Sequence, residues 1–162
     1  MAGEPQLGRA APEKEPDTLV LVVDGQRFGV SLSDAREVLP APRVTPVPFV
    51  PESVRGVCAV RGRVVPVLDL RFRLLGLPAE LGERLALVEQ AGETVALLVD
   101  GVEGMVHAQV TPVPAEVEAS LPPGTARGVA GDEGRPITLL ELAAVLELAD
   151  GHTTKTENEN DS

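Results

Sequence analysis

Aromatic side chains are nearly missing from this chain of 162 residues: it has Phe28, Phe49 and Phe72, and no Trp or Tyr. That excludes an aromatic platform for stacking nucleic-acid bases and leaves little to line a sugar or flavin site. A single cysteine, Cys58, excludes an internal disulfide and a multi-cysteine metal site. No apolar run approaches the roughly 20 residues that a membrane-spanning helix needs. The first 17 residues hold no apolar stretch of the signal-peptide kind. These absences predict a soluble, cytoplasmic protein without direct membrane insertion. Basic residues are scarce as well: 14 Lys and Arg stand against 25 Asp and Glu, a net charge of −11. A chain so acidic is not a general binder of nucleic acid or anionic membrane.

What is present is an apolar fraction of 43%, dominated by Val, Leu and Ala. It suffices for one ordinary domain or two very small ones. The charge is unevenly spread. Residues 27–84 carry nine Arg against six acids, whereas residues 85–150 carry two Arg against eleven acids. Both Lys residues, Lys14 and Lys155, lie near the chain ends. Arg throughout the body suits planar, forked contacts with carboxylates.

The chain contains one pattern twice. The pentapeptide VTPVP stands at Val44–Pro48 and again at Val110–Pro114, 66 positions later. The same offset places Leu19 on Leu85, Asp34 on Asp100 and Glu37 on Glu103. Beyond the pentapeptide the offset is 72, laying Gly56-Val57 on Gly128-Val129, Gly62-Arg63 on Gly134-Arg135, and Leu68-Asp69-Leu70 on Leu140-Glu141-Leu142. The change of offset implies six extra residues within Ala115–Arg127. Two units of this length predict a pseudo-symmetric pair rather than a solenoid.

Each unit reads mainly as β. Thr18–Asp24 and Gln26–Leu32 form a hairpin about Gly25, and Leu85–Glu89 with Glu93–Asp100 repeat it about Ala91-Gly92. Val54–Val60 and Arg63–Leu70 form another about Arg61-Gly62, matched by Arg127–Gly131 and Arg135–Leu139. Pro66 and Pro136 cannot donate to a ladder and should mark an edge or bulge. Ser33 predicts a capped short helix over Asp34–Leu39, ending before Pro40. A longer helix is expected over roughly Leu139–Leu148. Residues 1–17 and 151–162 read as disordered tails around a body of 18–150, with repeat units of about 18–82 and 84–148. Short, evenly spaced strands in both halves suggest two small barrels packed together, with an apolar seam suited to a partner's helix or strand.

Chemistry is thinly represented. No GxSxG, HExxH, P-loop or GxGxxG pattern occurs. A Cys58–His107–acid triad is formally available, against the simpler reading of Cys58 as a small apolar strand residue. Asp69 and Glu141 fall at matching positions, where a carboxylate would serve hydrogen bonding at a strand-to-helix turn.

The segment GVCAVRGRVVPVLDLRFRL, Gly56–Leu74, resembles the CheW family of chemotaxis coupling proteins. So do Phe28-Gly29-Val30 followed by Asp34–Val38, then Leu98–Val102, and then Gly128-Val129 with Gly134-Arg135 and Leu139–Leu142, in order from Thr18 to Leu148. The resemblance implies two intertwined five-stranded SH3-like barrels, with no catalysis, cofactor, metal or small-molecule substrate. It implies a non-enzymatic adaptor that holds the cytoplasmic hairpin tip of a chemoreceptor and docks on the regulatory domain of a CheA-type histidine kinase, at receptor arrays on the inner face of the membrane. By position, Gly56, Val57, Arg61 and Gly62 would face the receptor, and Glu37 and Val38 the kinase. The alternative implied is a stand-alone module, like the kinase's regulatory domain, that binds other coupling proteins in a gliding, pilus or developmental pathway. Two departures from the family pattern are Ala59-Val60, where Asn-Leu is usual, and Ala96, where Gly is common.

Overall fold

Three tight turns set the strand pattern. Asp24-Gly25, Arg61-Gly62 and Ala91-Gly92 each place both residues in the left-handed region, with φ values of 52° and 75°, 51° and 79°, and 55° and 83°. Two-residue hairpins of this kind match the right-handed twist of the strands they join, and the second glycine adopts that conformation without steric cost. The computed structural model describes residues 17–40, 43–77, 84–107, 109–131 and 134–147. Except for Asp17, the expected tails lie outside these residues.

In chain order the strands are β1 (Thr18–Val23), β2 (Gln26–Ser31), β3 (Ala35–Pro40), β4 (Val54–Val60), β5 (Arg63–Asp69), β6 (Arg84–Gln90), β7 (Glu93–Val99), β8 (Gly101–Val106), β9 (Val110–Thr111), β10 (Ala126–Ala130) and β11 (Ile137–Leu140). Helix α1 (Leu70–Leu75) follows β5, α2 (Ala115–Ser120) follows β9, and α3 covers 142–147 after β11. One sheet has the order β8-β1-β2-β11-β10-β9 and the other β3-β6-β7-β5-β4. Their neighbours are antiparallel except for β2 with β11 and β5 with β7.

The two orders are one order. Shifting β1, β2 and β3 by 66 residues gives β6, β7 and β8; shifting β4, β5 and α1 by 72 gives β10, β11 and α3. The short β9 then corresponds to the Thr45–Val57 bridge beside β4. Each sheet therefore combines the first hairpin of one repeat with the last hairpin of the other, so neither half can close its sheet alone. The six extra residues of the second copy are accommodated by the six-residue α2.

Strands β1, β6 and β7 are covered on both faces, which explains their continuous Val and Leu runs. Leu19, Leu21 and Val23 of β1 and Ala86, Val88, Leu97 and Val99 of β6 and β7 meet in a shared core between the sheets. The alternate residues Leu85, Leu87, Ala96 and Leu98 turn the other way, onto Cys58, Val65 and Val67 with Leu39 and Val60 beside them. All five strands thus enclose one cluster, as a rolled sheet does. Val20, Ala130, Ile137 and Leu139, with Val106 and Val110 against them, form the smaller counterpart.

Two expectations are corrected. Residues 34–39 are not helical: Ala35–Pro40 is a strand that pairs with β6 from Ala35↔Val88 to Pro40↔Arg84. The ladder outweighs the helix-start signal, and the Ser33 hydroxyl bonds to that of Ser31 instead. The closing helix begins at 142, because Leu139 and Leu140 pair with Gly128 and Ala126. Pro66 behaves as expected, since the β5–β7 ladder starts one residue later at Val67. No helix among the described residues is long and apolar enough to cross a membrane.

Candidate partner-binding site

Hairpin β4–β5 carries four of the residues singled out from the sequence. Gly56 lies at a register shift, with φ of 141°, and a Cβ there would stand 2.0 Å from the Thr45 carbonyl oxygen. It is glycine because the backbone of the VTPVP segment crosses over it. Val57 is half-buried and exchanges two backbone hydrogen bonds with Thr45, at 2.8 and 2.9 Å. Ala59 and its cross-strand partner Val64 are exposed, as is Pro66 opposite Val57. The outer face of the hairpin is therefore an apolar strip, with Val64 72% exposed.

Arg61 and Gly62 form the hairpin tip. The Arg61 guanidinium makes a two-pronged contact with the Glu37 carboxylate of β3, Nη2 donating to Oε2 at 2.6 Å and Nη1 to Oε1. Hydrogen bonding from Arg61 holds the Glu37 carboxyl below the usual glutamate range, and the same contact raises Arg61 further. The contact joins the two edge strands of the five-stranded sheet, β3 and β4, which do not pair. Val38, next to Glu37, is 38% exposed. A cavity of about 300 Å³ opens beside it between Leu39, Pro40, Ala59, Val60 and Arg61. The residues assigned by resemblance to two different partners thus touch one another.

A larger groove, about 470 Å³, lies where the base of this hairpin meets α3. Val54, Pro66, Leu68, Val95, Ala143 and Leu146 make its apolar lining. Gln90, Glu93 and Glu147 supply its polar groups. This is the seam between the two units, since α3 follows the six-stranded sheet and the other walls belong to the five-stranded one.

Sequence reasoning missed what the equivalent surface does. By the repeat offsets, Gln90 corresponds to Asp24 and Ala143 to Arg71. Arg71 Nη2 donates to Asp24 Oδ1 at 3.1 Å, so an ion pair spans the place where the groove is open. Arg73 was also missed. It is buried, and its Nε and Nη2 donate to the carbonyls of Val145 and Ala144 at 2.8 and 3.0 Å. An α1 side chain thereby bonds to backbone carbonyls of the equivalent helix α3. Burial pushes its guanidinium pKa down. Each contact joins residues more than 45 apart in sequence, so only an alignment of the two copies would have pointed to it.

The remaining candidates have structural surroundings. Asp69 caps α1, Oδ1 accepting from the Phe72 amide at 3.2 Å, with its pKa raised by burial. Glu141, its counterpart, is exposed. Cys58 is buried within the five-stranded sheet's own cluster, and burial raises its thiol pKa. His107 follows β8 of the other sheet and contacts Asp17 at 2.7 Å. The structure does not bring Cys58 and His107 together. Among the described residues, no three His, Cys, Asp or Glu side chains converge as a metal site would require.

Comparison with known proteins extends these observations. The sequence profile described as "CheW-like domain" matches residues 17–150. "Chemotaxis protein CheW" of Rhizobium meliloti (strain 1021) is 34% identical over 128 residues, covering 76% of this chain and 82% of its own. "Protein FrzA" of Myxococcus xanthus is 40% identical over 100 residues, 60% of this chain and 61% of its own. The crystal structure of scaffolding protein TtCheW from Thermoanaerobacter tengcongensis shares the fold, with a TM-score of 0.74 at 24% identity, over 82% of this chain and 93% of that one.

Proposed function

The chain belongs to the CheW-like domain family, and from that premise we propose that it is a non-enzymatic adaptor coupling chemoreceptors to a CheA-type histidine kinase. The observation that carries this reading is the apolar groove at the seam, open on one side of the duplicated scaffold and bridged by Asp24–Arg71 on the other. A cleft between packed units, lined by Val, Leu and Ala with a few polar groups at its rim, suits the apolar face of a helix. Gly56, Val57, Arg61 and Gly62 make the receptor-facing hairpin, and Glu37 and Val38 the kinase-facing strand.

Arg61 gives this arrangement its specificity. Its fork is shaped for a carboxylate and holds Glu37 in the free protein. A receptor carboxylate competes with Glu37 for the same guanidinium, so binding at the hairpin changes the charge presented on β3. Location at receptor arrays follows from the same reading.

The test is capture at micromolar concentration of the full chain by a receptor cytoplasmic hairpin and by the kinase regulatory domain. Binding to both, with Arg61→Glu losing the receptor while melting normally, supports the adaptor. Binding to neither removes it. The alternative module, favoured by Ala59 in place of the family's usual polar Asn, would capture another coupling protein in preference to the kinase.

A further inference from the structure

Phe49 stands apart from the other large apolar side chains among the described residues. It is 97% exposed, whereas Phe28 is 1% exposed and Phe72 half-buried. It also has φ of 62°, a conformation that a large side chain seldom adopts and that Gly or Asn would hold at less cost. Nothing in the fold repays this, because so exposed a ring packs against almost nothing. The backbone is nonetheless braced. Pro46, Pro48 and Pro51 fix their own φ angles, Thr45 is bonded to Val57 through both backbone groups, and the Val54 amide donates to the Pro51 carbonyl at 2.9 Å.

The register locates the ring. Thr45 lies opposite Val57 in antiparallel sense, and the Pro46 Cα lies 2.8 Å from where a Cβ on Gly56 would be. The segment therefore runs from the middle of β4 back toward its first residue, Val54, which lines the groove. Phe49 sits at the base of the hairpin, and Arg61 at its tip. Seven strand steps separate Val54 from Arg61, about 23 Å, which a helix spans in about 15 residues, or four turns.

We infer that Phe49 is a pre-organised aromatic anchor for the same helical partner, setting its register together with Arg61. This rests on the adaptor reading and adds the chemistry of the partner: one helix with an apolar residue and a carboxylate about four turns apart. The carboxylate is required by charge complementarity with Arg61, and the apolar residue by the exposed Phe49 ring on the loop that leads into Val54 of the groove lining. A second copy of this chain offers no such ligand among its described residues, whose helices are six residues long. An aromatic ring held by a proline-braced loop loses little conformational entropy on binding, which is what an anchor requires.

The experiment titrates a labelled receptor cytoplasmic hairpin with the full chain as wild type, Phe49→Asn and Arg61→Glu, with thermal melting of each protein. Phe49→Asn is expected to melt at or above the wild-type temperature, since Asn accepts the left-handed backbone, yet to bind about tenfold more weakly or worse. Phe49→Gly should behave alike. Wild-type affinity in Phe49→Asn alongside weakened binding by Arg61→Glu would overturn the anchor and leave the adaptor reading standing. Absence of binding by the wild type would remove both. Unchanged hairpin binding with loss of a dimer in sedimentation of Phe49→Asn would also overturn it, assigning the ring to a second copy.

Discussion

The two halves of this scaffold share one strand order and differ at the places where a partner would be met. In the five-stranded sheet, Glu37 on the edge strand β3 reaches the hairpin tip at Arg61. In the six-stranded sheet its counterpart Glu103 contacts Arg27 at 2.9 Å and, at 3.6 Å, Arg135 of the corresponding hairpin. Both sheets thus tie an edge strand to the opposite hairpin with a Glu–Arg contact. The surfaces flanking the central helices diverge instead: Asp24 and Arg71 pair on one side, while Gln90 and Ala143 leave a groove on the other. Duplication supplies the fold, and departures from its symmetry open the groove on one side only.

The largest effect expected from breaking this comparison is at the crossing glycines. Gly56→Ala should cost about 3 kcal/mol, because the new Cβ meets Thr45 backbone that cannot rotate away and the φ is unfavourable. Gly128→Ala, at the matching position, should cost about 1–2 kcal/mol, since its nearest obstacle at 2.5 Å is the Val110 side chain. Denaturant unfolding of the two variants measures the difference, and equal costs would contradict the asymmetry.

Next are the arginines of α1. Arg73→Met should lose about 2 kcal/mol, as two charge-assisted hydrogen bonds to α3 carbonyls, one of them buried, disappear. Arg71→Met, which breaks a half-exposed ion pair, should lose less than about 1 kcal/mol. The same unfolding assay ranks them.

Smaller in stability, yet most informative about function, is transplanting the closed side onto the open one. The double variant Gln90→Asp with Ala143→Arg should change stability by no more than about 0.5 kcal/mol. It should also weaken receptor-hairpin binding severalfold in a titration. Unaltered binding would mean that the groove is not used.

The smallest effects are in pH. Because the folded value of Glu37 is lowered, its contribution is present above the ordinary glutamate range and is lost as pH falls through the lowered value. Asp69 has the opposite sign. Its raised value means that the folded state favours the protonated form, so stability gains as pH falls through that value. Melting between neutral and acid pH should show Glu37→Gln losing the first dependence and Asp69→Asn the second.

Much of this architecture is legible in the chain. The paired VTPVP segments and the spacing of the glycine turns carry the duplication, and continuous Val and Leu runs carry strands buried on both faces. Residues 34–39 mislead because an edge strand exposed on alternate positions, with Arg36 and Val38 outward, needs no continuous apolar run. Ser33 followed by Asp34 then imitates a helix start. At the closing helix, Leu139 and Leu140 suit either state, and the ladder to β10 decides between them. In the site, the hairpin with Gly56, Val57, Arg61 and Gly62 follows from resemblance. The Arg61–Glu37 contact and the Arg73 bonds to α3 depend on how the halves interleave, which single-residue patterns do not encode. Phe49 was legible only as a rare ring; its outward, left-handed placement belongs to the folded loop.

The most direct test is methyl chemical-shift mapping as a receptor cytoplasmic hairpin is titrated into the full chain. Val54, Leu68, Val95 and Leu146 around the groove are expected to shift, while Leu74 and Leu140 on the equivalent closed side remain in place. Shifts confined to Leu74 and Leu140, or equal on both sides, would contradict that expectation.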